Sequence, residues 1–385
     1  MNNQPYQLEL FKLTEAHYTN AFEFYESIPR FLAGGDKSKY ISADGSVAQV
    51  KRNADGTSLP IERFFTHRDR SYSLEIAPTS VKRKGKHISV FPGIREEIIE
   101  FAIFKIAMEK GYFSGDESEP NATADNYMVY TTVYEIKKEL EKRKDTKNSS
   151  FNHSQIMEAL EVLSKTIYTL KTESETKKGG KVFRLFEGFT WVQDKDQKPA
   201  SSKNATIKIR LNEYVGKAIL SRSWRQIGYD SIIEENSFLA RWFRKYLSLR
   251  FTQADNTKTF NILLSTVINH SGISPYKEVI DSLKFVQMVL EKLDIISKVE
   301  IQKIWETNPT TKRKRLADAK FMIWPSKAFV EEQIQANAHA RRIERAAEGQ
   351  GGKAIVEPRR EDYSNTLDFQ QARRSYLAQQ AQVIK

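Results

Sequence analysis

The sequence predicts an α+β fold made of two similar units in tandem. Three observations predict it. Apolar residues recur first at helical spacing and then at a spacing of two, this change of period happens twice in the same order, and each closing pair of apolar runs brackets a basic, turn-forming segment. At roughly 100–200 residues per domain, 385 residues leave room for both units and for extensions at either end. The expected division is an N-terminal extension and linker over 1–60, a first unit over 61–200, a second over 201–330 and a charged helical, mobile tail over 331–385.

Taken in order, Gly34 to Pro60 is small, polar and turn-forming, which predicts an exposed linker. Tyr72, Leu74 and Ile76 alternate with polar residues, and His87 to Phe91 repeats the habit before Pro92-Gly93, so these two runs are expected to pair. Ile94, Ile98, Ile99, Ala102, Ile103, Ile106 and Ala107 predict an amphipathic helix from Ile94 to Lys110. Thr132 can cap a second helix to about Arg143, and a third starts near Asn152 with Ile156, Leu160 and Leu163 inward. Strands over Tyr168–Thr172 and Val182–Phe186 then flank a turn, Glu173 to Gly180, that holds Lys177 and Lys178.

The order returns after a short strand at Ile207–Leu211. Ser237 can cap a helix to about Arg250, in which Trp242 and Phe243 are core residues; Asn261 to His270 is the next helix. Ser274 as N-cap with Pro275 at the first helical position opens the third, where Val279, Leu283, Val286, Leu290 and Leu293 step by four and three and leave Lys277, Asp281 and Lys284 outward. Ile295–Trp305 and Lys320–Trp324 read as strands around a polar turn holding Lys312, Arg313, Lys314 and Arg315. A charged helical pattern runs from Ser326 to about Arg345.

Three helices closed by a basic hairpin is the order of a winged helix. The expected fold is therefore two tandem winged-helix domains, each a helix-turn-helix plus a β-hairpin wing, between flexible extensions. The chemistry agrees: 61 Lys and Arg against 49 Asp and Glu leave a net charge of +12, and phosphates are the commonest polyanion such a chain meets. In each unit the third helix would enter the major groove and the hairpin would lie on phosphates or in the minor groove. The candidate DNA-binding residues are Asn152, Ser154, Gln155, Lys177, Lys178 and Lys181 in the first unit, and Ser274, Tyr276, Lys277, Lys284, Lys312, Arg313, Lys314 and Arg315 in the second. Each has a competing structural reading: a basic run as a solvated loop, Asn152 and Ser274 as caps, Tyr276 as packing.

Gln7-Leu8-Glu9-Leu10-Phe11 resembles the short peptide by which bacterial polymerases and their accessories bind the sliding clamp. In that reading Gln7, Leu8, Leu10 and Phe11 bind the clamp, with Leu10 and Phe11 as apolar anchors and Gln7 an orienting hydrogen-bond partner. The other reading is the start of an amphipathic segment that continues to Phe31 and packs on the first domain.

The whole pattern, from about Ile94 to Trp324, resembles plasmid replication initiators with tandem winged helices, and among them the TrfA-like group. The likeness is carried by Arg95 to Glu100, Asn152 to Leu163, Phe238 to Phe251, Ser274 to Val299 and the clamp-like peptide. The resemblance implies binding to short direct repeats, or iterons, in double-stranded origin DNA, opening of an adjacent AT-rich stretch, and recruitment of host proteins: the sliding clamp, the host initiator and the replicative helicase. It also implies a homodimer through the first winged helix. The alternative is a sequence-specific transcriptional repressor without replisome contact.

Enzymatic readings find little support in the sequence. Zero cysteines exclude a thiol nucleophile or zinc finger, and the six histidines include no i, i+4 pair. Gly34-Gly35-Asp36-Lys37-Ser38 lacks the spacing of a phosphate loop, and no His-x-His triplet stands ready for a nickase metal. Asp194-Lys195-Asp196 reads as solvated charge. No catalytic residue, metal or cofactor is expected, nor a membrane partner, and the expected location is the cytoplasm.

Overall fold

The structure, a computed structural model, describes residues 18–34, 39–41, 47–68, 70–110, 113–114, 127–142, 151–173, 178–192, 206–220, 224–307 and 313–349. They form a mixed helix and sheet fold around one large core, with a small second cluster of Val81, Val90 and Val162. The elements before the first long helix are β1 (Tyr18–Phe22), α1 (Glu23–Ser27), β2 (Lys39–Ile41), β3 (Val47–Gln49), β4 (Ile61–His67), β5 (Arg70–Ala77), β6 (Thr79–Arg83) and β7 (Lys86–Val90). The chain continues through α2 (Ile94–Lys110), β8 (Phe113–Ser114), β9 (Tyr127–Thr132), α3 (Val133–Leu140), α4 (His153–Lys165), β10 (Ile167–Glu173), β11 (Lys178–Phe183), β12 (Phe186–Val192) and β13 (Thr206–Leu211). Then follow α5 (Glu213–Leu220), β14 (Trp224–Gly228), α6 (Tyr229–Ile233), α7 (Phe238–Arg250), β15 (Phe260–Leu263), α8 (Leu264–Ser271), α9 (Val279–Lys292), β16 (Ile296–Thr307), β17 (Lys314–Pro325) and α10 (Lys327–Gly349).

Local chemistry explains the helix starts. Thr132 and Asn152 each close a capping box, the side-chain oxygen accepting from the residue three on while Glu135 or Gln155 returns the bond, as their sequence positions suggest. Ser237 caps α7 through the Ala240 N–H. In α4, Ile156, Leu160 and Leu163 are fully buried, each worth about 1.5–3 kcal/mol of transfer free energy.

Several expectations are corrected by pairing. The Tyr72–Ile76 run does not pair with the His87–Phe91 run: β5 lies between β4 and β10, whereas β7 pairs with β6. The cause is a two-residue turn at Lys84-Gly85, both at positive φ, which folds the chain back one strand later than expected. The helix expected over Asn261–His270 begins only at Leu264, because Phe260–Leu263 are taken up as a strand against Lys320–Ile323. Ser274 does not cap the third helix of the second unit. That helix starts at Val279, and the Ser274 hydroxyl instead accepts from the Lys39 N–H at 3.0 Å.

The polar turn expected over Glu306–Asp318 is shorter, since β16 and β17 are twelve residues each and pair out to Thr307 with Lys314. Likewise Lys178 and Gly180, expected in a turn, are already in β11.

The largest departure is α2. Rather than amphipathic, it is buried on every side from Glu96 to Met108, including Glu96, Glu97, Glu100 and Lys105. Residues 18–34, expected within an extension, supply one cover: β1 pairs with β14 of the second half, and Lys105 Nζ donates to the Tyr18 carbonyl at 2.8 Å. The second unit supplies the other through α7, whose Arg241 and Lys245 are also buried. A polar stripe on α2 thus survives burial because every charge in it finds a partner.

Candidate nucleic-acid interface

In the second unit, β15, β17 and β16 form one sheet in that order, with α8 and α9 packed on it. Past Ile301 the β16–β17 hairpin leaves the core: Gln302 to Thr307 and Arg313 to Arg315 are exposed. Lys303, Arg313 and Lys314 have no partner among the described residues, and Arg315 is ion-paired with Glu306 across the strands. Trp305 stands among these cations with 55% of its surface exposed. Such an arm carries free positive charge and one flat aromatic, the equipment for phosphate contact and for stacking.

The exposed side of α9 holds Lys284, at 3.8 Å from Asp281, with Lys277 and Glu278 just before its start. Its charge is therefore mixed. Tyr276 is exposed, its ring tilted against Phe285 at 5.8 Å, and its N–H donates to Ser282 Oγ. Ser274 is half-buried and occupied by the Lys39 N–H.

In the first unit Asn152, Ser154 and Gln155 are all exposed at the start of α4. The capping box uses the oxygens of Asn152 and Gln155, at 2.9 and 2.8 Å, which leaves both amide nitrogens as donors. The hairpin that follows differs from its counterpart. It is the edge of a four-stranded sheet, β11-β10-β5-β4, and Lys181 is ion-paired with Glu213 and lies over the Tyr214 ring at 4.8 Å. Lys178 opens β11. Lys171, Thr172, Gly179 and Gly180 look onto a cleft of about 870 Å³ whose far wall is α8 of the second unit. Lys177, Lys312, the peptide Gln7, Leu8, Leu10 and Phe11, and Asp194 to Asp196 lie outside the described residues.

Sequence reasoning missed a third basic hairpin, β6–β7. Lys82, Lys84, Lys86 and His87 are exposed there, and Arg83 is clamped to Glu158 of α4 through Nη2 at 2.7 Å. The signal was present as Lys82-Arg83-Lys84-Gly85-Lys86 between two valine-containing runs.

The two units are locked at a charged seam. Glu97 accepts from Arg241 Nε and Nη2 at 3.0 and 2.9 Å and from Lys245 Nζ at 2.9 Å; Glu100 accepts from Arg30 at 3.0 Å and from the Tyr25 hydroxyl at 2.5 Å. Burial opposes the Glu97 charge, yet Arg241 and Lys245 outweigh it and hold the carboxyl below its usual range. For Glu100, burial wins over Arg30 and the carboxyl is raised.

Nearby, Arg63 Nη2 donates to the Ile268 and Asn269 carbonyls at the end of α8, and burial lowers that guanidinium to about 10. Gly272 ends α8 in the left-handed region, where a Cβ would collide with the Phe31 carbonyl. His270 is neutral: burial first, then Arg250, Arg63 and His67, push it down to about 4, and its Nε2 accepts the Thr66 N–H at 3.2 Å.

No family model and no curated protein matches the sequence. Among solved structures, the chain is similar to domains 2 and 3 of RctB at 11% identity. Two such structures cover 71% and 74% of this chain and 92% and 98% of theirs, with TM-scores of 0.40 and 0.39. The Pi initiator protein in complex with iteron DNA is similar at 10% identity over 60% of this chain and 91% of its own, with a TM-score of 0.35. Among the described residues no group of three or more His, Asp or Glu could hold a metal ion, and no helix is long and apolar enough to cross a membrane.

Proposed function

We propose that this chain is a double-stranded DNA-binding replication initiator of a plasmid or phage-plasmid, acting on short direct repeats through two winged-helix units spanning about 61–200 and 201–330. The observation that carries the reading is the β16–β17 arm: Lys303, Arg313 and Lys314 without partners among the described residues, beside exposed Trp305, on a chain with a net charge of +12. In this reading α9 enters the major groove with Tyr276, Lys277 and Lys284 near base edges, while Lys312 to Arg315 hold phosphates. Asn152, Ser154 and Gln155 of α4 offer amide and hydroxyl groups suited to adenine or phosphate.

The protein works by binding rather than by catalysis, and takes no cofactor. Counterion release supplies much of the affinity. Strand opening comes from bending the duplex, with Trp305 placed to stack on an exposed base. Gln7, Leu8, Leu10 and Phe11 tether the sliding clamp. Host initiator and helicase recruitment, and a homodimer through the first unit, belong to the same reading.

Selection of bound duplexes from a random-sequence pool tests the core of it, and recovery of a discrete motif whose affinity falls with salt is expected. Failure to retain any duplex at low salt would refute it. Clamp binding by the wild type against Leu10→Ala/Phe11→Ala, with DNA affinity as control, tests the replisome link. If the clamp is not bound while DNA is, the chain is a sequence-specific repressor.

A further inference from the structure

We infer that the β6–β7 hairpin is a DNA-backbone arm of the first unit, a role the order of helices and strands assigns to β10–β11. The inference rests on the DNA-binding reading above and deepens it. The hairpin is fixed by its inner side: Val81 and Val90 bury against Val162 of α4, and Arg83 binds Glu158 in two-pronged fashion through Nε and Nη2. Glu158 also accepts from Arg95 Nη2 at 2.8 Å, so its charge is fully engaged and its carboxyl is held low, first by Arg83.

These contacts set direction as well as position. Val81 meets α4 at Val162 and Arg83 meets it one turn earlier, at Glu158, so β6 runs toward the start of that helix. The tip, Lys84-Gly85, therefore lies alongside the first turns of α4, where Asn152, Ser154 and Gln155 are exposed. Around it Lys82, Lys84 and Lys86 are exposed and have no partner among the described residues. Three ammonium groups, Lys82 and Lys86 on the strands and Lys84 in the turn between them, beside a helix with exposed amide donors, match the regular negative charge of a duplex edge.

Among the described side chains of the β10–β11 hairpin, lysines are paired within the protein. Lys181 is spent on Glu213, and Lys171 pairs with Glu75 at 3.2 Å.

The decisive experiment measures binding of a mixed-sequence linear duplex across a salt series for wild type, Lys82→Ala/Lys84→Ala/Lys86→Ala, and Arg313→Ala/Lys314→Ala/Arg315→Ala. All six side chains are exposed, and thermal melts check that each variant folds. The hairpin variant should bind at least about tenfold more weakly at moderate salt, with the slope of log affinity on log salt reduced by about 2–3, near 0.9 for each phosphate released. Unchanged affinity and slope in that variant, with the β16–β17 variant weakened, would overturn the inference and leave the function standing. Absence of duplex binding by the wild type would overturn both. Because the chain has no cysteine, Lys84→Cys carrying tethered iron-EDTA gives a second reading. It should cut selected duplexes at a discrete backbone position, and no cutting would count against the arm.

Discussion

The hairpins β10–β11 and β16–β17 close two runs of helices that look alike in sequence, yet their described residues present different surfaces. The second stands free beyond Ile301, with Lys303, Arg313 and Lys314 unpaired among the described residues and Trp305 in the open. The first is held in a four-stranded sheet, has Lys181 tied to Glu213, and faces α8 across a cleft. A repeated order of elements therefore does not repeat a surface. The earlier hairpin has α8 as a neighbour across the cleft, and its Lys171 and Lys181 are answered by Glu75 and Glu213.

If docking is what distinguishes the hairpins, breaking the seam should erase the distinction, and Glu97 is where it breaks. Glu97→Ala leaves Arg241 and Lys245 buried without their main partner, a change that costs about 3–5 kcal/mol. Urea unfolding should show a lower midpoint. Lys171 and Gly179, which line the cleft, should gain hydrogen exchange at their backbone amides. A variant as stable as the wild type would mean that the units dock by apolar contact alone.

Acid should loosen the same seam from another side. The His270 imidazole titrates near 6.5 when unfolded and at about 4 in place. Its neutral form is thus what folding favours. The contribution is whole above about pH 6.5 and is lost as pH falls toward 4, with a ceiling of about 3 kcal/mol at roughly 1.4 kcal/mol per unit. Glu100, whose carboxyl is raised, pulls in the opposite direction. Comparing stability against pH for wild type and His270→Gln isolates the histidine: the difference between the two curves should shrink as pH falls from 6.5 to 4.

These outcomes depend on features of unequal legibility. The caps at Thr132, Asn152 and Ser237 were readable because a cap is a bond within three residues. The helix Ile94–Lys110 was readable as a helix and not as a buried one, since Glu97 meets Arg241 144 positions further along the chain. The same holds for Ser274, whose sequence context says N-cap and whose partner, Lys39, sits 235 positions away. In the candidate interface, the exposure of Arg313 to Arg315 followed from local charge and turn character. The quenching of Lys181 did not, because Glu213 belongs to a helix beyond the hairpin.

Two substitutions sharpen the contrast between the hairpins directly. Arg313→Ala/Arg315→Ala should lower the salt slope of duplex binding by about 2 and weaken binding accordingly, since each charge displaces about 0.9 counterion. The Arg315 share is the smaller if its pair with Glu306 persists on DNA. Lys181→Ala is the smallest effect expected. The Lys181 pair with Glu213 is partly exposed, so its loss should change stability by less than about 1 kcal/mol. Its ammonium already has a carboxylate, so duplex affinity and salt slope should stay as in the wild type. A fall in slope near 0.9 for Lys181→Ala would mean that the lysine leaves Glu213 for a phosphate. In that case the first hairpin is a wing after all, one that opens only when DNA arrives.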